Sequence, residues 1–414
     1  MAFFYAPGCL TWRLPGICMQ APQPRHWRKF SVPVILKNQT TNVDAPAIMV
    51  STLTPHCGDR TMLTRCILTL IMILLTPCLK AKAADHELFA VDSIKAGRGD
   101  SVSGYLDIDP LNDAGTRIPV SVINGRNPGP VLALLAGVHG YEYPGITALQ
   151  RLRKSIRPDD LSGTLVLVHI ANPPSFYGRT VYTSPADGKN LNRVFPGSIQ
   201  GTLSERIADS ITRHVIEQAD FLVDLHAGDG NEVLRPYVYM PVTGDPVLDA
   251  ANRGMALAFG LDHIVIDEGR LMPKDASVYT DQTALARGIP AITTETGQLG
   301  SNDQYWVGLA ERGIANLMRH LGMIKGTPEP NDGVVWLSGY EVIRSPATGI
   351  FQASVRDGYA VAENSLLGQL VDAFGDRITD VRAPFAGIVN YVVGTPPVSE
   401  GEPVAMISRI AEEK

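Results

Sequence analysis

The chain has 414 residues, 45% of them hydrophobic, with 36 Lys+Arg against 42 Asp+Glu. Such a composition excludes an intrinsically disordered polypeptide, which lacks the apolar residues to build a core. The formal charge of −6 excludes a broadly basic nucleic-acid surface, and the length predicts two or three domains.

Residues 1–61 carry scattered Pro and Trp with no sustained periodicity, and read as a leader outside the fold, with Met62 as the true start. From Met62 the pattern is that of a secretory signal peptide over 62–83: Arg65, an apolar run from Cys66 to Leu75, then Ala81-Lys82-Ala83 as a cleavage motif. The run is about half the roughly 20 residues that span a bilayer. Export to the periplasm or medium is therefore expected, with no stable membrane span after cleavage. Pro77 argues against lipidation at Cys78. All five cysteines, Cys9, Cys18, Cys57, Cys66 and Cys78, fall in this segment without a CxxC pair. The remainder has 27 basic and 40 acidic residues and no cysteine. Disulfides and thiol catalysis are thereby excluded from it, and nucleic-acid partners are disfavoured.

Over 84–325, short apolar runs alternate with helical patterns. Val131–Val138, Leu165–Ile170, Phe221–Leu225 and Pro290–Thr294 read as strands buried on both faces. Pro144 sits in the first turn of a helix carrying Ile146, Leu149 and Leu152. Thr202-Leu-Ser-Glu205 is a capping box, followed by an apolar stripe of Leu203, Ile207, Ile211 and Val215. This alternation predicts an α/β domain with a mixed, largely parallel sheet flanked by helices, and chemistry at the carboxyl ends of its strands.

Gly326-Thr-Pro-Glu-Pro-Asn-Asp-Gly333 reads as a linker, and residues 334–410 as an all-β domain. Pro346-Ala-Thr-Gly349-Ile350 is echoed by Pro384-Phe-Ala-Gly387-Ile388, and each copy continues as strand, turn (Asp357-Gly358, Glu400-Gly401) and strand. Two such halves resemble the barrel-sandwich of biotinyl and lipoyl domains. Those carriers need a hairpin lysine, and none occurs between Lys325 and Lys414. A packing or access-shaping role is left.

Four segments place polar residues where the apolar strands run out. Gly137-Val-His139-Gly140-Tyr-Glu142 puts a His and a Glu three apart, able to converge on one cation, and Asp224-Leu-His226 ends another strand. Two His and one carboxylate form a set that leaves zinc an open position for water, whose pKa falls to about 7. Asp224 shares a strand face with His226, either fixing its imidazole or capping the strand. Asn190-Leu-Asn192-Arg193, with Arg179 upstream, can hold a carboxylate. Thr293-Thr294-Glu295-Thr296-Gly297 places Glu295 as the candidate general base, with Glu268 as its rival.

With its HGxE, NLNR, DLH and TETG elements in that order, the chain resembles the succinylglutamate desuccinylase/aspartoacylase family, related to the zinc carboxypeptidases. The resemblance implies one zinc per chain on His139, Glu142 and His226, with Glu295 as base. It also implies Arg179 polarising the scissile carbonyl, and Asn192 and Arg193 binding a substrate carboxylate. Ser184–Lys189 lengthens the stretch between Arg179 and Asn192 relative to compact members. The activity expected is hydrolysis of an N-acyl amino acid or similar small amide. A peptide-trimming metallocarboxypeptidase is the alternative, and a non-catalytic binding protein is disfavoured because all the ligands and the base are present.

Overall fold

The computed structural model describes residues 85–413 other than 270, 330 and 332. The leader and signal-peptide readings, 1–83, lie outside the described residues. A hairpin of β1 (Leu88–Val91) and β2 (Ile94–Gly97) precedes the main sheet. That sheet begins with β3 (Ser101–Ile108), β4 (Thr116–Asn124), β5 (Asn127–Ala136), β6 (Ser162–Val168) and β7 (Phe221–His226). It continues with β8 (Glu232–Leu234), β9 (Tyr237–Val242), β10 (His263–Glu268), β11 (Ala291–Glu295) and β12 (Val335–Arg344). The helices are α1 (Tyr143–Ser155), α2 (Pro173–Gly178), α3 (Leu203–His214), α4 (Pro246–Phe259), α5 (Thr280–Leu285) and α6 (Gln304–His320).

The order from one edge is β3-β4-β6-β5-β7-β11-β9-β10-β12. At its centre β6, β5, β7 and β11 are mutually parallel, as are β9, β10 and β12. The pairs β3–β4, β4–β6 and β11–β9 are antiparallel. The expectation of a mixed, largely parallel sheet flanked by helices thus holds, its parallel part lying at the core. β3 and β4 are joined by a short loop without a crossover helix, which permits only antiparallel pairing.

Successive residues of β5 show why its apolar run is unbroken. Val131, Ala133 and Leu135 join the core under α3 and α5, with Leu203, Ile207, Ile211 and Leu285. Leu132, Leu134 and Ala136 join the opposite core under α1, α4 and α6, with Leu149, Met255, Phe259 and Ile314. A strand covered by helices on both faces has no solvent side to make polar. The capping box forms as read, Thr202 N donating to Glu205 Oε2 at 2.7 Å.

The tail is all-β among the described residues. It comprises β13 (Gly349–Ala353), β14 (Ala360–Val361), β15 (Leu366–Val371), β16 (Arg377–Arg382), β17 (Gly387–Val393), β18 (Pro397–Val398) and β19 (Pro403–Ile410). The repeat falls on β13 and β17, and both turn glycines, Gly358 (φ 75) and Gly401 (φ 84), take the left-handed conformation that favours glycine. β12, β19, β17 and β14 prolong the main sheet. Beside them, β16, β15, β13 and β18 form a second sheet, and Phe351, Leu367 and Leu370 pack against Val389, Val404 and Ile407 of the first. β8 pairs with β17, aligning Glu232 with Val393, so the tail is stitched to the loop that follows β7. Among the described residues no helix is long and apolar enough to cross a membrane.

Candidate metal centre

Three adjacent parallel strands, β5, β7 and β11, end together: the turn after β5 delivers His139 and Glu142, β7 delivers His226, and β11 delivers Glu295. After β5 the chain turns at Gly137 (φ 70), where a side chain would press on Ile146 and the Ile170 backbone, and so presents His139. A Cβ at Gly140 would lie 2.4 Å from the Thr180 carbonyl and 2.5 Å from that of Ser175, so this loop packs directly on the segment bearing Arg179. Glu142 is the residue before α1 but makes no capping bond with its side chain. Its carboxylate turns toward the histidines instead. His226 is the last residue of β7 and is register-paired with Glu295, the last of β11.

One ligand atom each from His139, Glu142 and His226 lies within 4.8 Å of the others, all three side chains being buried. His139 Nδ1 is 2.7 Å from Glu142 Oε1, and His226 Nδ1 is 2.8 Å from Glu142 Oε2. Oε2 is buried and receives no aligned hydrogen bond despite that short distance. His139 Nε2 is hydrogen-bonded to Asn190 Oδ1 at 3.1 Å, and His226 Nε2 lies in ion-pair range of Asp224 Oδ2 at 2.9 Å. Asn192 Nδ2 also lies 3.3 Å from His226 Nε2, and neither oxygen of the buried Asp224 receives an aligned hydrogen bond. Both Nδ1 atoms face the Glu142 carboxylate. Such a donor set fits a divalent cation.

Burial pushes the Glu142 carboxyl up in pKa, but the charges of His226 and His139 outweigh it and bring it down to about 2. His139 and His226 are both raised: burial opposes the shift, while Glu142 and, for His226, Asp224 drive it. Glu295 is pushed well above the usual carboxylate range, first by burial and then by Glu142, Glu232 and Asp224, with His226 opposing. Its Oε2 is buried without a hydrogen-bond partner.

Asn192 is buried behind His226, its Oδ1 accepting from Thr280 N at 2.9 Å and Thr280 Oγ1 at 3.0 Å. The exposed Arg193 donates to the Asn192 carbonyl at 2.7 Å and lies over the Tyr279 ring at 4.6 Å. Arg179 follows α2 in a left-handed conformation (φ 52), is exposed, and makes no side-chain hydrogen bond or ion pair among the described residues. Its charge is felt at Tyr143. Glu268 ends β10, separated from β11 by β9, and so lies away from the three strand ends that meet.

Residues 128–321 match the succinylglutamate desuccinylase/aspartoacylase catalytic domain. Over 320 residues the chain is 30% identical to N-alpha-acetyl-L-2,4-diaminobutyric acid deacetylase of Halomonas elongata, an alignment covering 75% of this chain and 92% of that protein. The chain belongs to the succinylglutamate desuccinylase/aspartoacylase family. Among solved structures of the family, that from Rhodobacter sphaeroides superposes with a TM-score of 0.67 at 28% identity, covering 75% of this chain and 96% of the other. The product-bound ectoine utilization protein EutE (DoeB) of Ruegeria pomeroyi gives 0.68 at 28%, covering 79% and 100%. Desuccinylase/aspartoacylase members are deacylating hydrolases, and this chain is a hydrolase of that kind.

Beyond Asp224, sequence reasoning missed the polar residues around the cluster. Asn190 lies inside the NLNR element yet orients His139. Asp229, fully buried, accepts from Tyr182 N at 3.0 Å, and the Tyr182 hydroxyl lies 2.8 Å from Glu232 Oε1. Burial above all raises Asp229 to about 6 and Glu232 to about 7. No spacing rule flags these residues, because their partners come from loops distant in sequence.

Proposed function

We propose that this chain is a zinc-dependent amidohydrolase that removes the acyl group from a small N-acyl amino acid. The observation that carries the reading is the buried His139–Glu142–His226 cluster with Glu295 one strand away. Zinc suits two imidazoles and a carboxylate, and when bound supplies Lewis-acid activation of water and of a carbonyl at neutral pH.

The chain's own groups do the rest. Glu295 Oε2 takes a proton from the attacking water and returns it to the departing amine. The Arg179 guanidinium, free to move at the surface, donates to the oxyanion that develops on the carbonyl. Arg193, braced on Tyr279, holds the substrate carboxylate, with the Asn192 amide as a further donor. Asp224 and Asn190 keep the imidazoles from rotating. The tail, with its barrel-sandwich-like repeat, pairs β17 with β8 in the loop that follows His226, a placement that supports small substrates over peptides. The signal-like stretch from Arg65 to Ala83 supports action outside the cytoplasm; amino-terminal sequencing of the exported protein, expected to begin at Ala84, tests it.

The name of the Halomonas elongata relative favours an N-acetylated diamino acid as a first substrate to test. The decisive experiment assays the metal-loaded protein against N-acetyl-2,4-diaminobutyrate, other N-acyl amino acids and short peptides. Release of acid from the acyl amino acids supports the reading. Cleavage of peptides alone makes the chain a metallocarboxypeptidase, and no hydrolysis with the metal in place overturns both.

A further inference from the structure

At the other end of α1 the chain builds a second cavity, of about 450 Å³. It lies between the last turn of the helix and the outer strands β3 and β4, about 20 Å along α1 from Glu142 on the usual helical rise. Its chemistry is one-sided. Arg117, Arg153 and Lys154 line it, and no carboxylate does. Arg117 is neutralised by Asp107 at 2.7 Å. Arg153 and Lys154 have no carboxylate partner among the described residues. Both are exposed in the last turn of α1, so the cavity carries two cations open to an anion from solvent.

A hydrogen-bonded relay runs into the same cavity. Ser103 and Ser121 are cross-strand partners, with their hydroxyls 2.7 Å apart, and Ser121 Oγ lies 2.8 Å from His169 Nε2. His169 is buried, and its Nδ1 has no partner. Burial, then the Arg153 charge, pushes its pKa down to about 4, so the ring is neutral and carries one proton. With the proton on Nε2, no N–H is left buried and unpaired at Nδ1. In that assignment His169 Nε2–H donates to Ser121 and Ser121 to Ser103, while Arg153 Nε donates to Ser103 at 2.6 Å. Both acceptor positions of Ser103 are then filled, and its own proton is available to a ligand in the cavity.

We propose that this cavity is a binding site for a phosphate group, held by Arg153, Lys154 and the Ser103 hydroxyl. Two cations match a dianion, and the hydroxyl adds a donor suited to a third oxygen. Tyr105 and Tyr177, both exposed, stand at the rim, so the phosphate is either free or borne on a flat organic body.

Calorimetric titration of the metal-loaded protein with inorganic phosphate tests the site, at about 0.15 M salt, where exposed charges are screened beyond about 8 Å. Saturable binding is expected, weakened at least about tenfold in Arg153→Gln/Lys154→Gln and in Ser103→Ala, with phosphate-free deacylation unchanged in all three proteins. Phenyl phosphate binding more tightly than phosphate identifies a phosphomonoester as the ligand, and equal affinity identifies free phosphate. No saturable binding up to roughly 10 mM overturns the proposal. Unchanged affinity in the variants also overturns it, because the phosphate then sits elsewhere.

Discussion

Glu295 and His226 face each other across neighbouring parallel strands, each the last residue of its strand. That register brings the proposed proton carrier to the proposed metal ligand with no loop between them, and sheet geometry rather than loop conformation sets their separation. Replacing Glu295 with Gln keeps the shape and removes the titrating oxygen. Turnover is expected to fall by about 10²–10⁴-fold, with metal content unchanged by elemental analysis. Full activity in this variant would falsify the assignment of the base.

Asn190 fixes the outer nitrogen of His139 at 3.1 Å. Its replacement by Ala lets the ring turn and lets the proton move to Nδ1. Metal affinity, measured by competition with a chromogenic chelator, is expected to drop about 10–100-fold. A wild-type value would show that packing alone orients the ring.

Removal of the metal by a chelator is expected to abolish hydrolysis, and zinc to restore it. The fold should survive, because the strands around Leu134, Val223 and Ile292 are fully buried without help from the site. Far-ultraviolet circular dichroism of the stripped protein checks this, and loss of the spectrum would make the metal structural.

His169 makes stability depend on pH in a defined direction. Its folded pKa of about 4 lies below the ordinary value near 6.5. Between these values the unfolded chain binds the extra proton and the folded one does not. The contribution is therefore fully present above about pH 6.5 and is lost as the pH falls toward 4, to a total of about 3 kcal/mol. Denaturant titrations across that range should show a slope that flattens in His169→Gln.

Tyr182 joins the loop after α2 to Glu232 through its hydroxyl. Tyr182→Phe leaves the buried carboxyl short of a donor and is expected to cost about 1–3 kcal/mol of stability. An unchanged denaturation midpoint would mean that Asn231, the other neighbour of the hydroxyl, or water already serves Glu232.

What could be read in advance follows the range of the interactions. Runs such as Val131–Ala136 announce themselves because burial on both faces leaves a local, unbroken apolar signature. The ligands were legible for a related reason: His139 and Glu142 are three apart, and His226 closes a strand rich in apolar residues. The antiparallel edge of β3 and β4 was not legible. Ser101, Ser103 and Tyr105 alternate with less exposed residues on an outer strand, and that pattern is weak without knowledge of its neighbours. Nor could Asn190 be told from Asn192. Both stand in one short element, and only the folded backbone decides that one amide meets His139 and the other His226. The join at β12 was missed because the turn-rich segment before it marks a break in composition, whereas the strand after it pairs directly with β10.

The pairing of β8 with β17 has an evolutionary and practical corollary. Glu232–Leu234 begins six residues after His226, and its hydrogen-bonding partner is supplied from more than 150 positions downstream. A shortened version ending near residue 330 would bare the flank of β10 as well as this small strand, and exposed strand flanks invite self-association. Gene fusions, crystallisation variants and transplants of the tail between homologues should therefore cut outside both regions, treating catalytic loops and terminal strands as one inheritance.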